Sequence, residues 1–220
     1  MKRLIAMARF DLGWPLSGIH ASAVSALILG VLALAAGEPV WMPFNATTHA
    51  IHGPEAADVQ ALDLLHTGLG GTIHVLACFF WSGIAVLMIR MIGLTRAGAA
   101  WLAGLATAIL AGVVDYGLLP ARLSPGWELI LPWWAVGLGF VAMGVGIALG
   151  LNVAAMIDRR EMTEAELHQG SSLSVTASRH PAERSLALER LRRPRHDLLD
   201  RRGDGNKQRG DPPNDERSDI

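Results

Sequence analysis

Residues 66–89 read HTGLGGTIHVLACFFWSGIAVLMI and lie between Asp63 and Arg90 with no Asp, Glu, Lys or Arg inside. A helix rises about 1.5 Å per residue, so about 20 apolar residues cross a hydrocarbon core of about 30 Å, and this stretch is longer than that. It predicts a membrane span. It also holds His66 and His74, and a titratable group at bilayer depth is costly enough to mark a candidate functional residue.

Outward from this stretch, three further apolar runs follow the same logic. One covers Gly18 to Gly37, one lies between Arg96 and Asp115, and one between Glu128 and Asp158. The predicted spans are therefore about 18–37, 66–89, 97–114 and 130–157, an all-α integral membrane four-helix bundle over residues 1–157. The first run has a rival reading, because Ala33-Leu34-Ala35 follows a basic N-terminal segment as a signal-peptide cleavage site would. Asp11 in that segment, and an apolar run beyond the about 7–15 residues of a signal core, favour an uncleaved span. Spans three and four are rich in small residues, among them Gly137, Gly139, Gly144, Gly146 and Gly150, which permit helix packing in lipid. Gly137-Leu138-Gly139 follows no strand and is no dinucleotide fingerprint.

Of 220 residues, 51% are hydrophobic, but the charge is unevenly divided. Residues 158–220 hold thirteen basic and thirteen acidic side chains, against six and seven in residues 1–157. The composition of 158–220 predicts a charged, largely disordered cytoplasmic tail. Within it, residues 181–202 mix leucines with arginines, as a short helix on anionic lipid or a solvated stretch would. No aromatic platform accompanies these arginines, so a nucleic-acid partner is not expected. The single cysteine, Cys78, excludes an internal disulfide and any cysteine-cluster metal site.

Sidedness follows from Lys and Arg. Lys2, Arg3, Arg9, Arg90, Arg96, Arg159 and Arg160 fall at one set of span ends and only Arg122 at the other. The positive-inside rule then places both termini in the cytoplasm. The acidic segment 38–65 and the loop from Asp115 to Glu128 face outward, with Trp41, Tyr116, Trp127, Trp133 and Trp134 forming an aromatic belt. The AADVQALDLL portion of the first loop reads as a short surface helix or a lead-in to span two.

The outward loops bring His49, His52 and His66 to the same face as Glu55, Asp58, Asp63 and Asp115. Imidazole and carboxylate are ligands for zinc, copper or iron, and His49-x-x-His52 has helical ligand spacing. There is no H-E-x-x-H, and no metal or haem is called for by any motif. His66 and His74, eight residues apart, fall about 80° apart on a regular helix, which suits a proton or cation path. The alternative for His74 is a neutral ring hydrogen-bonded to a neighbouring helix. Arg122, the outer base, is expected to pair with Asp115 or Glu128 and staple its loop.

Asn45-Ala46-Thr47-Thr48-His49 with Gly53, His66-Thr67, His74, Phe80-Trp81, Val114-Asp115-Tyr116, Pro120 and Arg122-Leu123-Ser124-Pro125-Gly126-Trp127-Glu128 form a pattern over residues 45–128. This pattern resembles a family of bacterial four-span inner-membrane proteins to which no activity is assigned. Ile73 stands where that family accepts a second histidine, and Ala50 where it has tryptophan. The resemblance implies an inner-membrane bundle without naming a reaction. The leading expectation is a non-enzymatic structural or accessory component, alone, as a homo-oligomer or with another membrane protein. A small transporter or proton relay through His66 and His74 is the second expectation, and a metal- or haem-binding protein using His49, His52, His66 and His74 the third.

Overall fold

The computed structural model describes residues 9–93 and 98–179, and all regular structure among them is helical. Six α-helices follow in order: α1 (Gly13–Ala35), α2 (Met42–Thr47), α3 (His49–His52), α4 (Leu69–Ile92), α5 (Ala99–Val113) and α6 (Trp133–Arg179). Four helical segments are long and apolar enough to cross a membrane: Gly13–Ala35, Leu64–Ile92, Ala99–Leu118 and Trp133–His168. The predicted four-span helical bundle is the fold of the chain.

The span ends differ from expectation by a few residues throughout, and most at the start of the first and the end of the last. The first helix starts at Gly13, because Pro15 sits in its opening turn, where a missing N–H disrupts no helical bond. The last does not stop at Ile157 but runs to Arg179. The segment after Ile157 is rich in Arg, Glu, Met, Ala and Leu, all strong helix formers, so position 158 marks a change of polarity and not of backbone. The 181–202 segment lies outside the described residues. The chain divides into two units, Met1–Thr163 and Glu164–Ile220; in the second, residues 164–179 are helical.

Within the first unit α1 packs along α4, and α4 along α5. Glycines close the remaining two sides. A Cβ on Gly146 would sit 2.5 Å from the Ala21 Cα and one on Gly150 would overlap Ser17, so α6 lies backbone to backbone on α1. A Cβ on Gly144 would sit 2.7 Å from the Gly104 carbonyl oxygen, so α6 meets α5 in the same way. Lipid offers no hydrophobic drive between helices, and close backbone packing supplies the attraction instead. Gly137 has nothing within 4 Å and belongs to neither contact. Leu29, Val86, Ile89, Ile147 and Leu151 are fully buried between the helices. Leu27, Val31, Leu76, Leu102, Ile109 and Val141 stand exposed around them, an apolar perimeter suited to lipid.

At the end of the bundle that holds the N-terminal segment, Arg9 bonds Asp11 and lies 3.7 Å from the largely buried Asp158. The acid on the bundle face of α6 is thereby held to the segment before α1.

Gly144→Leu is expected to lower stability by about 1–3 kcal/mol through overpacking against Gly104, whereas Gly137→Leu should leave it nearly unchanged. Unfolding of the purified protein in mixed micelles measures both, and equal losses would contradict the packing described.

Candidate functional site

Segment 38–65, expected as an open acidic loop, is a folded cap. Pro43 lies in the first turn of α2, and α3 follows after Thr48. A 3-10 turn covers Pro54–Asp58 and the π turn that opens span two begins at Leu64, so of the two readings of AADVQALDLL the lead-in to span two describes it, and the α-helical part of the segment comes earlier, in α2 and α3. Asn45 is the fully buried centre of this cap. Its Nδ2 donates to the carbonyls of Val59 (2.7 Å) and Ala61 (3.0 Å), while its Oδ1 accepts from the Thr67 hydroxyl at 2.6 Å. One side chain thus joins α2, the extended return strand of chain and the start of span two. Thr48 donates to the Asn45 carbonyl at 2.7 Å. The His49 ring nitrogens lie 3.0 Å from the Ala46 carbonyl and 3.1 Å from the Ala121 carbonyl. Arg122 donates through Nε to the Ala50 carbonyl at 3.0 Å. The two loops, 38–65 and 119–132, are therefore stitched together through backbone carbonyls.

Below the cap, span two opens with a π-helical turn, Leu64–Gly68, and span three closes with another, Val114–Leu118. Such widened turns interrupt the regular hydrogen-bond ladder and recur at functional sites. Asp63 caps the first. Its Oδ1 accepts the His66 backbone N–H at 2.6 Å, and both its oxygens lie 3.1 Å from His66 Nδ1. The His66 backbone bond, then the His66 ring, hold the Asp63 carboxyl below the usual carboxylate range. The His66 ring meets the His52 ring edge to face with centroids 5.0 Å apart.

Eight residues on, His74 is in a separate neighbourhood. It is buried against α1, with Nε2 3.0 Å from Ser25 Oγ. Ser25 donates its own proton to the Ala21 carbonyl at 2.6 Å, so it accepts from His74, whose tautomer carries the proton on Nε2 in this bond. Phe44 and Trp127 flank the same ring at 5.5 and 6.1 Å. The backbone of Gly70, between the two histidines, is packed against the Phe44 carbonyl.

His74 also borders a cavity of about 470 Å³ between the cap, span two, the end of span three and α6. Phe80, Trp81, Trp127 and Phe140 supply its aromatic walls, and His74, Cys78, Asp115, Thr47 and Ser124 its few polar groups. Ala77, Phe80, Leu119 and Leu123 on its rim belong to the exposed apolar perimeter. Asp115 is half-buried and has no hydrogen-bond or ionic partner among the described residues. The Trp127 indole N–H is buried without an acceptor, a deficit of about 1–3 kcal/mol when left unmet. A mostly apolar hollow with a few convergent polar groups is the form that small-molecule sites take.

Several expected groupings are corrected by this geometry. Among the described residues no three His, Cys, Asp or Glu side chains converge on a shared point for an ion. His49 is turned inward onto the Ala46 and Ala121 carbonyls, and His74 bonds Ser25 of the neighbouring α1, the alternative given for it above. Of the acids, only Asp63 touches a histidine; the Glu55 carboxylate folds over Gly53, Asp58 is exposed, and Asp115 lines the cavity. Arg122 pairs with neither Asp115 nor Glu128. Glu128 instead accepts from the hydroxyls of Tyr116 (2.6 Å) and Ser124 (2.5 Å), which come closer than the guanidinium held by Ala50. Trp127 is buried and leaves the aromatic belt, while Trp133 and Trp134 remain exposed.

Asn45, Ser25 and Trp127 carry much of this arrangement and were not singled out from sequence as site residues. Asn45 had one available signal, a strong hydrogen-bonding amide in a Pro- and Thr-rich segment otherwise read as a loop. No protein family, curated protein or solved structure matches the chain.

The lowered titration of Asp63 has a defined sign. Its contribution to stability is complete above the unfolded carboxylate range and is lost as pH falls through the lower folded value. The stability gap between wild type and Asp63→Asn should therefore shrink below about pH 4. Thermal unfolding at several pH values measures it, and a gap independent of pH would show that Asp63 is not the ionised cap of span two.

Proposed function

We propose that this chain is a non-enzymatic accessory protein of the bacterial inner membrane that takes a small lipophilic molecule into the cavity beneath its outer cap. The observation that carries this reading is the aromatic cavity of about 470 Å³ whose rim lies on the exposed apolar perimeter. A guest reaching it by that route is already dissolved in the bilayer, and the aromatic walls receive its apolar body. The Asp115 carboxyl, on the cavity wall, is the polar handle available to orient it. Cytoplasmic termini are supported by seven Lys and Arg residues at one set of span ends against Arg122 at the other. A proton relay along span two has less support, since His66 and His74 face different partners with the Gly70–Phe44 backbone contact between them.

N-phenyl-1-naphthylamine, a neutral lipophilic probe excited by energy transfer from tryptophan, tests the cavity in the full-length protein. One saturable site per chain is expected, with affinity at least about tenfold weaker in Ala77→Phe and unchanged in Gly137→Ala, a change worth about 1.4 kcal/mol or more. Unsaturable partitioning, or equal binding by the two variants, would overturn the reading. Sidedness is tested separately by alkaline phosphatase fused after Arg160. The fusion should be inactive in cells, and an active one would reverse the orientation.

A further inference from the structure

We infer that His52 and His66 together form a binding site for a late divalent transition-metal ion, of the zinc or copper class, on the outer cap. This site is independent of the cavity and uses neither His49 nor His74. Three observations converge on it. The first is spacing. The His52 and His66 rings are 5.0 Å apart in an edge-to-face contact. Imidazole nitrogens bind such an ion at about 2.0–2.1 Å, and a turn of the exposed His52 side chain about its own bonds brings one nitrogen from each ring within reach of a single ion. The second is the state of the nitrogens. Both Asp63 oxygens lie 3.1 Å from His66 Nδ1, so that nitrogen donates to the carboxylate and Nε2 is the one left to bind an ion. A carboxylate behind a histidine in this way fixes the tautomer and ring orientation and raises the ligand's basicity, as at metal centres generally.

The third observation is rigidity. Asp63 is itself fixed by the His66 backbone N–H at 2.6 Å, and its own N–H faces Thr67 Oγ1 at 3.4 Å. Thr67 in turn donates to buried Asn45. His66 therefore belongs to the folded cap, whereas His52, the last residue of α3, is exposed and accessible to an ion from solution. Two protein nitrogens leave the other coordination positions to water or to a further ligand, in keeping with the absence of a third His, Cys, Asp or Glu at this point among the described residues. Imidazole donors suit zinc, copper and nickel over magnesium or calcium.

Zinc chloride titrated into the detergent-solubilised full chain, followed by calorimetry, gives the affinity; copper sulfate followed by electron paramagnetic resonance gives the ligands. One ion per chain is expected, with nitrogen couplings from two imidazoles in the copper spectrum. His52→Ala should weaken binding at least about tenfold, and Asp63→Asn by about 10–100-fold through loss of the supporting carboxylate. His168→Ala, an exposed histidine elsewhere, should bind as wild type. Because His66 also takes part in the turn that opens span two, His66→Asn is used beside His66→Ala, with the helical circular dichroism of each checked first. Absence of binding, a spectrum with no imidazole nitrogen, or binding undiminished by His52→Ala would overturn the site. None of these results bears on whether the cavity takes N-phenyl-1-naphthylamine.

Discussion

A backbone group removed from water at a membrane boundary must find its partner within the protein, and the capped end of this bundle is arranged around that demand. Helices satisfy their own N–H and C=O groups, but the segment between spans one and two is only partly helical. Its carbonyls are met by side chains, Val59 and Ala61 by Asn45 and Ala50 by Arg122, and its His49 in turn reaches the Ala121 carbonyl of the loop between spans three and four. The polar residues of this end are therefore largely engaged in holding the backbone. What they leave open is small and specific, the His52–His66 pair above and the Asp115 carboxyl below.

The cap also explains the cavity. Close packing of α6 on α1 and α5 through Gly146, Gly150, Gly144 and Gly104 brings three helices within backbone contact deeper in the bundle. At the capped end bulky rings, Phe80, Trp81, Trp127 and Phe140, hold the elements apart, and the π turn at Val114–Leu118 carries Asp115 on the cavity wall. Small residues pull helices together where the bundle is tight, and aromatic residues hold a hollow where it is not. A helix-spanning protein without this contrast would be filled throughout, as protein interiors usually are.

The spans were legible from composition because the bilayer imposes length and hydrophobicity on each segment directly, and residues 66–89 needed no tertiary information to be read. The packing role of Gly146 and Gly150 was legible for a similar reason, since small residues four apart have one main use in lipid. The site was less so. His49, His52, His66 and His74 share a residue type but not a fate, and what separates them is which carbonyl or hydroxyl lies opposite once the chain has folded. The pairing of His66 with Asp63 was three residues away in sequence, yet it acquires its form only through the π turn that Asp63 caps. Arg122 was assigned to a carboxylate on charge alone, whereas a neutral carbonyl lay nearer. The polarity change at Asp158 was read as the end of a helix because hydropathy and helix propensity were taken to end together, and here they do not.

Residues 42–52 form a folded cap sealed by side-chain bonds to the backbone. Amide hydrogen exchange of the full-length protein in lipid nanodiscs, read by mass spectrometry, measures this directly. Peptides covering Met42 to His52 should exchange at least about a hundredfold more slowly than an unstructured chain, a protection of about 2.7 kcal/mol or more. Exchange of that segment to completion at the unstructured rate would contradict the account.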